Sequence, residues 1–382
     1  ERVSRMLGIE ISDEQIEDYL KRLQIEFTGG DGVWQLTPPG FRFDISIEAD
    51  LVEEIARLYG YNNIPQSLPE VPQSMVARAE NQLNLEFFKD VLAQRGWQEA
   101  ITYSFVDPAL QDKLGFDRNT VPLSNPISSE MSVMRTSHWP GLITALQYNQ
   151  NRQQPQVRLF ETGLNFTGLG DTSDQRQWIS GIASGNFASE QWSLQQRKID
   201  FYDVKGDIES TLAHTRSGHL FNFEVEPHPA LHPGQSARIL REGKAVGWLG
   251  VMHPELEKQL SLEGPVVLFE LEALALVDAQ ARRFQPISKF PNIRRDLSLV
   301  VDAEVSAQAI LDVIEEMALD TIVKKWIFDV YQGKGVESGR KSMSLGLILL
   351  DSSRTLTDED VEETVSRVID KLGEKLNASL RD

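Results

Sequence analysis

The alternation of apolar and polar residues divides the chain into three segments. In the first, residues 12–15 have the form of a helix capping box. Apolar residues at helical spacing continue this helix: Ile16, Tyr19, Leu20 and Leu23. Residues 25–36 then predict two short strands around a glycine-rich turn, and residues 48–59 predict a second helix that ends before Gly60. Helices followed by a hairpin predict a winged-helix-like domain over residues 1–66.

The middle segment, residues 67–287, has strand-like runs that do not alternate regularly with helices. It opens with a proline-rich stretch at 67–80, which we interpret as a linker. Helices are expected near 81–95, 139–148 and 203–213, and strands near 157–160, 179–183 and 245–251. Because regular βαβ alternation is missing, we expect an antiparallel sheet in a domain of the α+β class.

The last segment, residues 288–382, has the most regular order of elements. Its pattern predicts a strand at 296–301, a helix at 306–317, strands at 323–330 and 342–350, a helix capped by Thr357, and a short last strand at 376–380. The order βαββαβ is that of a ferredoxin-like domain. The glycine-rich stretch at 333–342 joins two strands and lacks the Walker spacing, so it predicts a hairpin loop instead of a phosphate-binding loop.

Composition limits the chemistry of these domains. The 382 residues include no Cys, which excludes disulfides, thiolate metal sites and cysteine nucleophiles. Asp and Glu number 57 against 38 Lys and Arg, a net charge of −19 that argues against nonspecific binding of nucleic acid without a local basic patch. No apolar run approaches the roughly 18 residues that span a membrane, so no membrane partner is expected.

An acidic cluster lies at the start of the second helix. Asp50, Glu53 and Glu54 stand at positions i, i+3 and i+4, which share one face of a helix, and Asp44 lies just before it. Carboxylates placed together repel one another, and a hard divalent cation such as Mg²⁺ relieves that repulsion. An acidic first turn that complements the helix dipole is the alternative. The spacing alone leaves both interpretations open.

Cations and aromatic residues are interleaved in the last segment. Lys324, Lys325, Lys334, Arg340 and Lys341 lie among Trp326, Phe328 and Tyr331, and Arg294 and Arg295 precede the first strand. Residues 288–382 hold 13 basic and 18 acidic residues, so the cations are concentrated but not in excess. A sheet of this kind can stack and hold single-stranded RNA. A solvated strand edge with core aromatics is the alternative, which the pattern alone slightly favours.

Several motifs resemble one family along the whole chain. Residues 42–61 and 290–298 are similar to the first central domain and to the start of the C-terminal ferredoxin-fold anticodon-binding domain of the bacterial phenylalanyl-tRNA synthetase beta subunit. Residues 123–128, 134–136 and 159–163 resemble its catalytic-like module. The chain therefore resembles the C-terminal portion of that subunit.

The resemblance implies a cytoplasmic enzyme of two alpha and two beta subunits that attaches phenylalanine to its tRNA at the expense of ATP. It implies that the alpha subunit binds ATP and phenylalanine, and that Mg²⁺ is bound by carboxylates at positions matching Asp44, Asp50, Glu53 and Glu54. The cations that we assign to tRNA binding are Arg294, Arg295, Lys334, Arg340 and Lys341. The domains implied are 1–66, a class II synthetase-like but non-catalytic module at 67–287, and an anticodon-binding domain at 288–382.

The middle module resembles a class II synthetase that has lost its chemistry. An active copy needs a glycine-rich third motif that ends in Glu-Arg, whereas residues 268–276 contain neither Gly nor Arg. Glu270 and Glu272 stand where phosphates would bind, so electrostatics disfavours ATP there. We therefore expect this chain to catalyse nothing by itself and to lack editing, since the family's N-terminal domains do not precede it. A stand-alone RNA-binding protein with a degenerate synthetase fold and a Mg²⁺-dependent enzyme that uses the acidic cluster remain as alternatives.

Overall fold

A computed structural model describes residues 1–68, 74, 77, 79–116, 120–168, 174–281, 284 and 286–381. Much of the predicted linker at 67–80 lies outside the described residues. The chain divides into two compact units, Glu1–Arg78 and Ala79–Asp382. Within the described ranges, no helix is both long and apolar enough to cross a membrane.

The first unit contains three helices and one hairpin. Its elements are α1 (Arg2–Leu7), α2 (Asp13–Arg22), β1 (Glu26–Gly30), β2 (Val33–Thr37) and α3 (Glu48–Tyr59). The predicted capping box is confirmed, because Ser12 and Gln15 exchange side-chain and backbone hydrogen bonds at the start of α2. A small core that includes Ile16, Leu20 and Ile55 holds these elements together.

The second unit is built on a seven-stranded sheet. Its strands are β3 (Gln98–Glu99), β6 (Gln156–Thr167), β7 (Asp174–Gly185), β8 (Phe221–Val225), β9 (Leu231–Arg241), β10 (Lys244–Met252) and β11 (Val266–Glu272). The strand order is β3-β6-β7-β11-β10-β9-β8, and every pair is antiparallel except β3 with β6. A separate two-stranded ladder joins β4 (Phe105–Val106) and β5 (Val133–Met134). The antiparallel sheet that the sequence predicts is confirmed.

Helices cover both faces of the large sheet. They are α4 (Leu85–Gln94), α5 (Pro108–Lys113), α6 (Trp139–Gln150), α7 (Phe201–Ala213), α8 (Pro254–Gln259) and α9 (Ala273–Val277). Successive residues of β11 point to opposite faces, so Phe269 joins a core with Phe88 of α4, and Leu268 joins a second core with Trp139 of α6. The sheet is therefore buried on both sides.

The four-stranded domain at the end of the chain has the predicted βαββαβ order. It consists of β12 (Ile293–Asp302), α10 (Ala307–Glu316), β13 (Ile322–Tyr331), β14 (Arg340–Leu349), α11 (Asp358–Leu376) and β15 (Ser379–Leu380). The antiparallel sheet has the order β13-β14-β12-β15. Both helices pack on one face, against buried residues of the two central strands such as Leu299 and Leu345.

Most differences from the sequence-based prediction concern the bounds of elements. The helix predicted from 81 begins at Leu85, because Asn84 accepts a hydrogen bond from the backbone of Glu86 and caps it. The strands predicted at 157–160 and 179–183 are twelve residues long in β6 and β7. The sequence analysis also missed β8 and β9. The predicted boundary at 287/288 falls inside the second unit and stays a prediction.

Candidate functional site

The face of the four-stranded sheet opposite α10 and α11 carries the most concentrated candidate chemistry. On β14, the strand next to the edge strand β13, this face presents small residues: Ser342, Ser344 and Gly346. Trp326 of β13 pairs with Gly346, and the indole ring lies against that glycine. A Cβ atom added to Gly346 would lie 2.6 Å from the ring, so only glycine permits this close approach. The indole ring of Trp326 therefore packs directly against the β14 backbone at Gly346.

Cations surround the aromatic rings on this face. The guanidinium carbon of Arg294 lies 5.3 Å from the ring centroid of Trp326 and 5.7 Å from that of Phe328. The Lys324 ammonium lies 5.2 Å from the Trp326 centroid. Arg381 lies 5.0 Å from the centroid of Tyr331. We call these six residues the aromatic face. Phe328 and Tyr331 are exposed and Trp326 is half-buried, so the described structure favours surface aromatics beside cations over the alternative of core aromatics.

Charge is separated between the two sides of this domain. Helices α10 and α11 together carry ten Asp or Glu and three Lys or Arg. Subtracting them from the 18 acidic and 13 basic residues of 288–382 leaves eight acidic and ten basic residues elsewhere. The helices are therefore the acidic side, and the sheet and its loops have a small positive excess. A polyanion is attracted to the sheet side and repelled from the helix side.

The five cations predicted to bind tRNA lie in different places. Arg294 belongs to the aromatic face and pairs with Asp296 at 2.9 Å, and Lys334 is exposed in the loop after β13. Arg340 is held by the domain itself, since it donates to the carbonyl oxygens of Val300 and Asn377. By strand alternation, Arg295 and Lys341 lie on the helix-covered side, in register with the buried residues of β12 and β14.

Two cations of the aromatic face were not among the predicted tRNA contacts. Lys324 was noted in the basic cluster, whereas Arg381 was missed altogether. The position of Arg381 depends on the short strand β15, which pairs with β12 and brings the backbone N–H of Arg381 to the carbonyl of Ser298 at 2.9 Å. The alternation of side chains along β13 is the sequence signal that could have placed Lys324 and Trp326 on the same face of the sheet.

The second candidate site is the acidic cluster of the first unit. Arg42 lies between two of its carboxylates, 2.7 Å from Asp44 and 3.0 Å from Glu54. Arg57 contacts Glu54 as well, at 2.7 Å. These hydrogen bonds, from Arg57 first and then from Arg42, lower the pKa of Glu54 to about 2, and Arg42 likewise lowers the pKa of Asp44. The carboxylates are therefore ionised and already neutralised by arginine.

Asp50 and Glu53 have different surroundings. One oxygen of Asp50 accepts hydrogen bonds from the backbone N–H groups of Ser46 and Ile47 at 2.7 and 2.9 Å, which lowers the pKa of Asp50. These contacts favour the alternative interpretation of Asp50, as part of an acidic first turn at the helix N-terminus. Glu53 is exposed, one residue along α3 from Glu54.

This arrangement has the right donors for Mg²⁺ but does not fit the ion as it stands. Mg²⁺ needs oxygen ligands at about 2.0–2.1 Å in octahedral geometry. The described residues contain no group of three or more His, Asp or Glu side chains that could hold a metal ion. The Arg42 guanidinium occupies the space that Asp44 and Glu54 share.

The third candidate site is the region of the third motif in the large sheet. Glu270 of β11 is buried, and its carboxyl group accepts hydrogen bonds from Ser137 and, at 3.3 Å, from Ser180. Burial raises the pKa of Glu270 to about 7. The neighbouring His138 is also buried, which lowers its pKa to about 3, and its Nδ1 lies 3.3 Å from Ser180 Oγ.

The segment that enters α6 fills this region. The indole N–H of Trp139 donates to the carbonyl of Phe269 at 3.0 Å, and Arg135 forms a buried ion pair of 2.6 Å with Glu161. Glu272, the second carboxylate, pairs with Arg176 at 3.6 Å. Glu270 is therefore enclosed by side chains and is not the exposed negative charge on which the electrostatic argument against ATP depends.

Comparison with known proteins gives a consistent assignment along the chain. Three family models match: the tRNA synthetase B5 domain over residues 1–61, the phenylalanyl tRNA synthetase beta chain CLM domain over 64–273, and the ferredoxin-fold anticodon binding domain over 288–381. The second of these alone covers more than half of the chain.

Curated relatives agree with the family models. A phenylalanine–tRNA ligase beta subunit of Pseudomonas fluorescens is 44% identical over 382 residues, and one of Methylococcus capsulatus is 43% identical. Each match covers 100% of this chain and 48% of the relative, so the chain spans about half the length of the proteins it matches. A pyrrolysyl tRNA synthetase structure from Desulfitobacterium hafniense aligns with 14% identity and a TM-score of 0.38, over 50% of this chain and 66% of that one, which is too weak to bear on fold or function.

Proposed function

Because the chain belongs to the phenylalanyl-tRNA synthetase beta chain family, we propose that it is a non-catalytic, structural and tRNA-binding portion of a cytoplasmic phenylalanine–tRNA ligase. In this proposal, two alpha and two beta subunits form the enzyme, and the alpha subunit binds ATP and phenylalanine. A stand-alone RNA-binding protein is not favoured, because matches to the synthetase family run along the whole chain.

The aromatic face is the observation that supports tRNA binding most directly. Unpaired bases stack on aromatic side chains, with a contribution of roughly 1–3 kcal/mol per base, and cations beside the rings attract the phosphates. The Trp326 ring packs on a glycine, and the Arg294 guanidinium and the Lys324 ammonium lie over the ring. The face therefore suits the unstacked bases of a tRNA loop. This explains how a chain of net charge −19 can bind RNA through one local surface.

The filled interior of the large sheet supports a non-catalytic role. Around Glu270, side chains from β11, β7 and the start of α6 form hydrogen bonds with one another and with the backbone of β11. The hydroxyl groups of Ser137 and Ser180 donate to the Glu270 carboxyl group, so these two donors are not free to bind ATP phosphates. The proposal thus assigns aminoacylation chemistry to the alpha subunit.

An apolar surface beside α6 supports association with the alpha subunit. A cavity of about 610 Å³ opens there, with lining residues that include Tyr103, Phe105, Met131 and Tyr148. Two residues that line the cavity are exposed: Tyr103 by 63% and Tyr148 by 58%. Contiguous exposed apolar residues of this kind mark protein–protein contacts. We assign this surface to the partner subunit.

The assignment of Mg²⁺ to Asp44, Asp50, Glu53 and Glu54 rests on the family resemblance. Carboxylate oxygens are the ligands that this ion prefers. In the arrangement described above, Arg42 holds Asp44 and Glu54, and the residues as they stand do not fit the ion.

Binding of unmodified tRNA to the full chain tests the central proposal. We expect Trp326→Ala to weaken the affinity for phenylalanine tRNA by roughly 5- to 150-fold, the range that corresponds to the loss of one stacked base. Trp192→Ala is a matched control, because Trp192 is 99% exposed and lies outside the aromatic face. Affinities are measured by fluorescence anisotropy at one fixed salt concentration. Equal affinities for the wild type and Trp326→Ala would show that RNA does not use this face.

A further inference from the structure

Arg294 and Trp326 meet across the four-stranded sheet although their strands do not pair with each other. Arg294 belongs to β12 and Trp326 to β13, and β14 lies between these two strands. Neighbouring strands are about 4.8 Å apart, so side chains of β12 and β13 meet only where β14 offers little side chain above its backbone. Gly346 of β14 is such a position. It pairs with Trp326 on one side and with Asp296 of β12 on the other.

Asp296 holds the side chain of Arg294 in one orientation. Nε of Arg294 donates to Oδ1 of Asp296 at 2.9 Å, and Nη2 donates to Oδ2 at 3.0 Å. Two hydrogen bonds of this kind fix the plane of a guanidinium at the end of a long, flexible side chain. Among the described residues, no group accepts a hydrogen bond from Nη1. The fork therefore leaves Nη1 available to a ligand.

The guanidinium of Arg294 lies over the aromatic rings on their solvent side. Its carbon is 5.3 Å from the ring centroid of Trp326 and 5.7 Å from that of Phe328, and the indole packs on Gly346 beneath it. The side chain of Arg294 is 54% exposed. Unpaired bases stack on guanidinium planes as well as on aromatic rings. A nucleotide that approaches Trp326 from solvent therefore meets Arg294 as well.

We propose that Arg294 is the cation of the aromatic face that contacts RNA directly, and that Asp296 is its positioning residue. The inference rests on the proposed function and names how this face holds an unpaired nucleotide. The base stacks against the guanidinium, and Nη1 donates to an oxygen of the nucleotide. Asp296 favours this contact, because the conformational freedom that Arg294 would lose on binding is already removed in the free chain.

Charge alone predicts the opposite effect of Asp296. An exposed carboxylate repels phosphates, so its replacement by a neutral residue should tighten RNA binding if Arg294 needs no partner. With the positioning role, Asp296→Asn should weaken the affinity for phenylalanine tRNA by roughly 2- to 12-fold, which corresponds to ordering one long side chain during binding. The sign of the change separates the two explanations.

Fluorescence anisotropy with unmodified phenylalanine tRNA and the full chain measures this sign at one fixed salt concentration. Asp302→Asn is the matched control, because Asp302 lies on the same strand, is 55% exposed and pairs with Arg340 at 3.4 Å. Two backbone carbonyl groups also hold Arg340, so its position does not depend on Asp302. The affinity of this control should be unchanged or up to about twofold tighter than that of the wild type.

A double-mutant cycle separates positioning from any other effect of Asp296. Arg294→Ala should weaken binding by at least about fivefold. In the Arg294→Ala background, Asp296→Asn should cause no further loss and up to about a twofold gain, because only the charge of Asp296 then acts. Arg294→Lys keeps the charge without the planar fork and should bind roughly as weakly as Asp296→Asn. Thermal melting curves establish that each variant remains folded.

The outcomes separate the inference from the proposed function. A loss with Asp296→Asn that disappears when Arg294 is absent supports the positioning role. No change or a gain with Asp296→Asn overturns it, and tRNA binding by this face stands if Trp326→Ala still binds more weakly than the wild type. An equal loss with and without Arg294 also overturns it, because Asp296 would then act by another route. Unchanged affinity in both Trp326→Ala and Arg294→Ala overturns the inference and the proposed use of the aromatic face together.

Discussion

Replacement of Glu270 by glutamine tests the reasoning about the filled interior of the large sheet. The carboxyl group of Glu270 is buried, and burial raises its pKa from an ordinary 4.5 to about 7. A folded chain that holds this proton more strongly than the unfolded chain loses stability as the pH rises through that interval. The stability that the protonated Glu270 carboxyl group contributes is fully present below about pH 4.5 and is lost as the pH rises past 7.

The size of the effect follows from the two pKa values. Their difference corresponds to about 3 kcal/mol, of which roughly 2 to 3 kcal/mol develops between pH 5 and pH 8. A glutamine side chain cannot ionise and resembles the protonated carboxyl group. The free energy of unfolding of Glu270→Gln, relative to the wild type, should therefore rise by that amount from pH 5 to pH 8. His138 titrates in both proteins, so its contribution cancels in the comparison.

The assay is urea unfolding of the second unit at the two pH values, followed by tryptophan fluorescence. Glu272→Gln is the control on the same strand, because its contact with Arg176 is a longer, partly exposed pair worth about 0–1 kcal/mol. The free energies of unfolding of Glu270→Gln and the wild type could instead differ by the same amount at pH 5 and pH 8. Glu270 would then have an ordinary carboxyl pKa in the folded chain and would be ionised. The occlusion argument would then fail, and charge would again be the reason against ATP.

The remaining predictions concern stability elsewhere in the second unit. Glu161→Gln leaves the buried guanidinium of Arg135 without its counter-charge and should cost about 3–5 kcal/mol in urea unfolding; a loss below about 1 kcal/mol would contradict the burial of this pair. Thr357→Ala removes the side-chain oxygen that accepts from the backbone N–H of Asp360 at 3.3 Å and should cost about 1 kcal/mol, whereas Thr357→Ser should restore most of it. Equal losses for alanine and serine at this position would show that the cap is not responsible.

Local signals in the sequence account for the elements that were predicted well. Helix α3 has the predicted bounds. The signals that set them, the apolar spacing within the helix and Gly60 at its end, can be read from the local sequence alone. The four-stranded domain was likewise predictable, since each of its strands and helices has its own periodicity. Helix α4 was placed four residues too early because the sequence analysis gave no weight to Asn84 as a cap.

The contacts that define the sites join distant residues and could not be predicted in this way. Arg42 and Glu54 are twelve residues apart, and Ser137 and Glu270 are 133 apart. The sequence analysis therefore placed Glu270 where phosphates would bind, although Ser137 and Ser180 enclose its carboxyl group. Of the predicted RNA contacts, Arg295 and Lys341 were chosen because they lie near the aromatic residues and the glycine-rich loop in the sequence, and strand alternation places them away from the aromatic face.

The filled interior of the large sheet also limits how this module could change in evolution. Gly181 of β7 lies so close to Phe269 and Trp97 that a methyl group there would lie 2.2 Å from a Phe269 ring atom. Glycines and an arginine substituted into residues 268–276 would leave Ser137, His138 and Trp139 buried in place. A nucleotide site there would require many coordinated substitutions, each unfavourable alone.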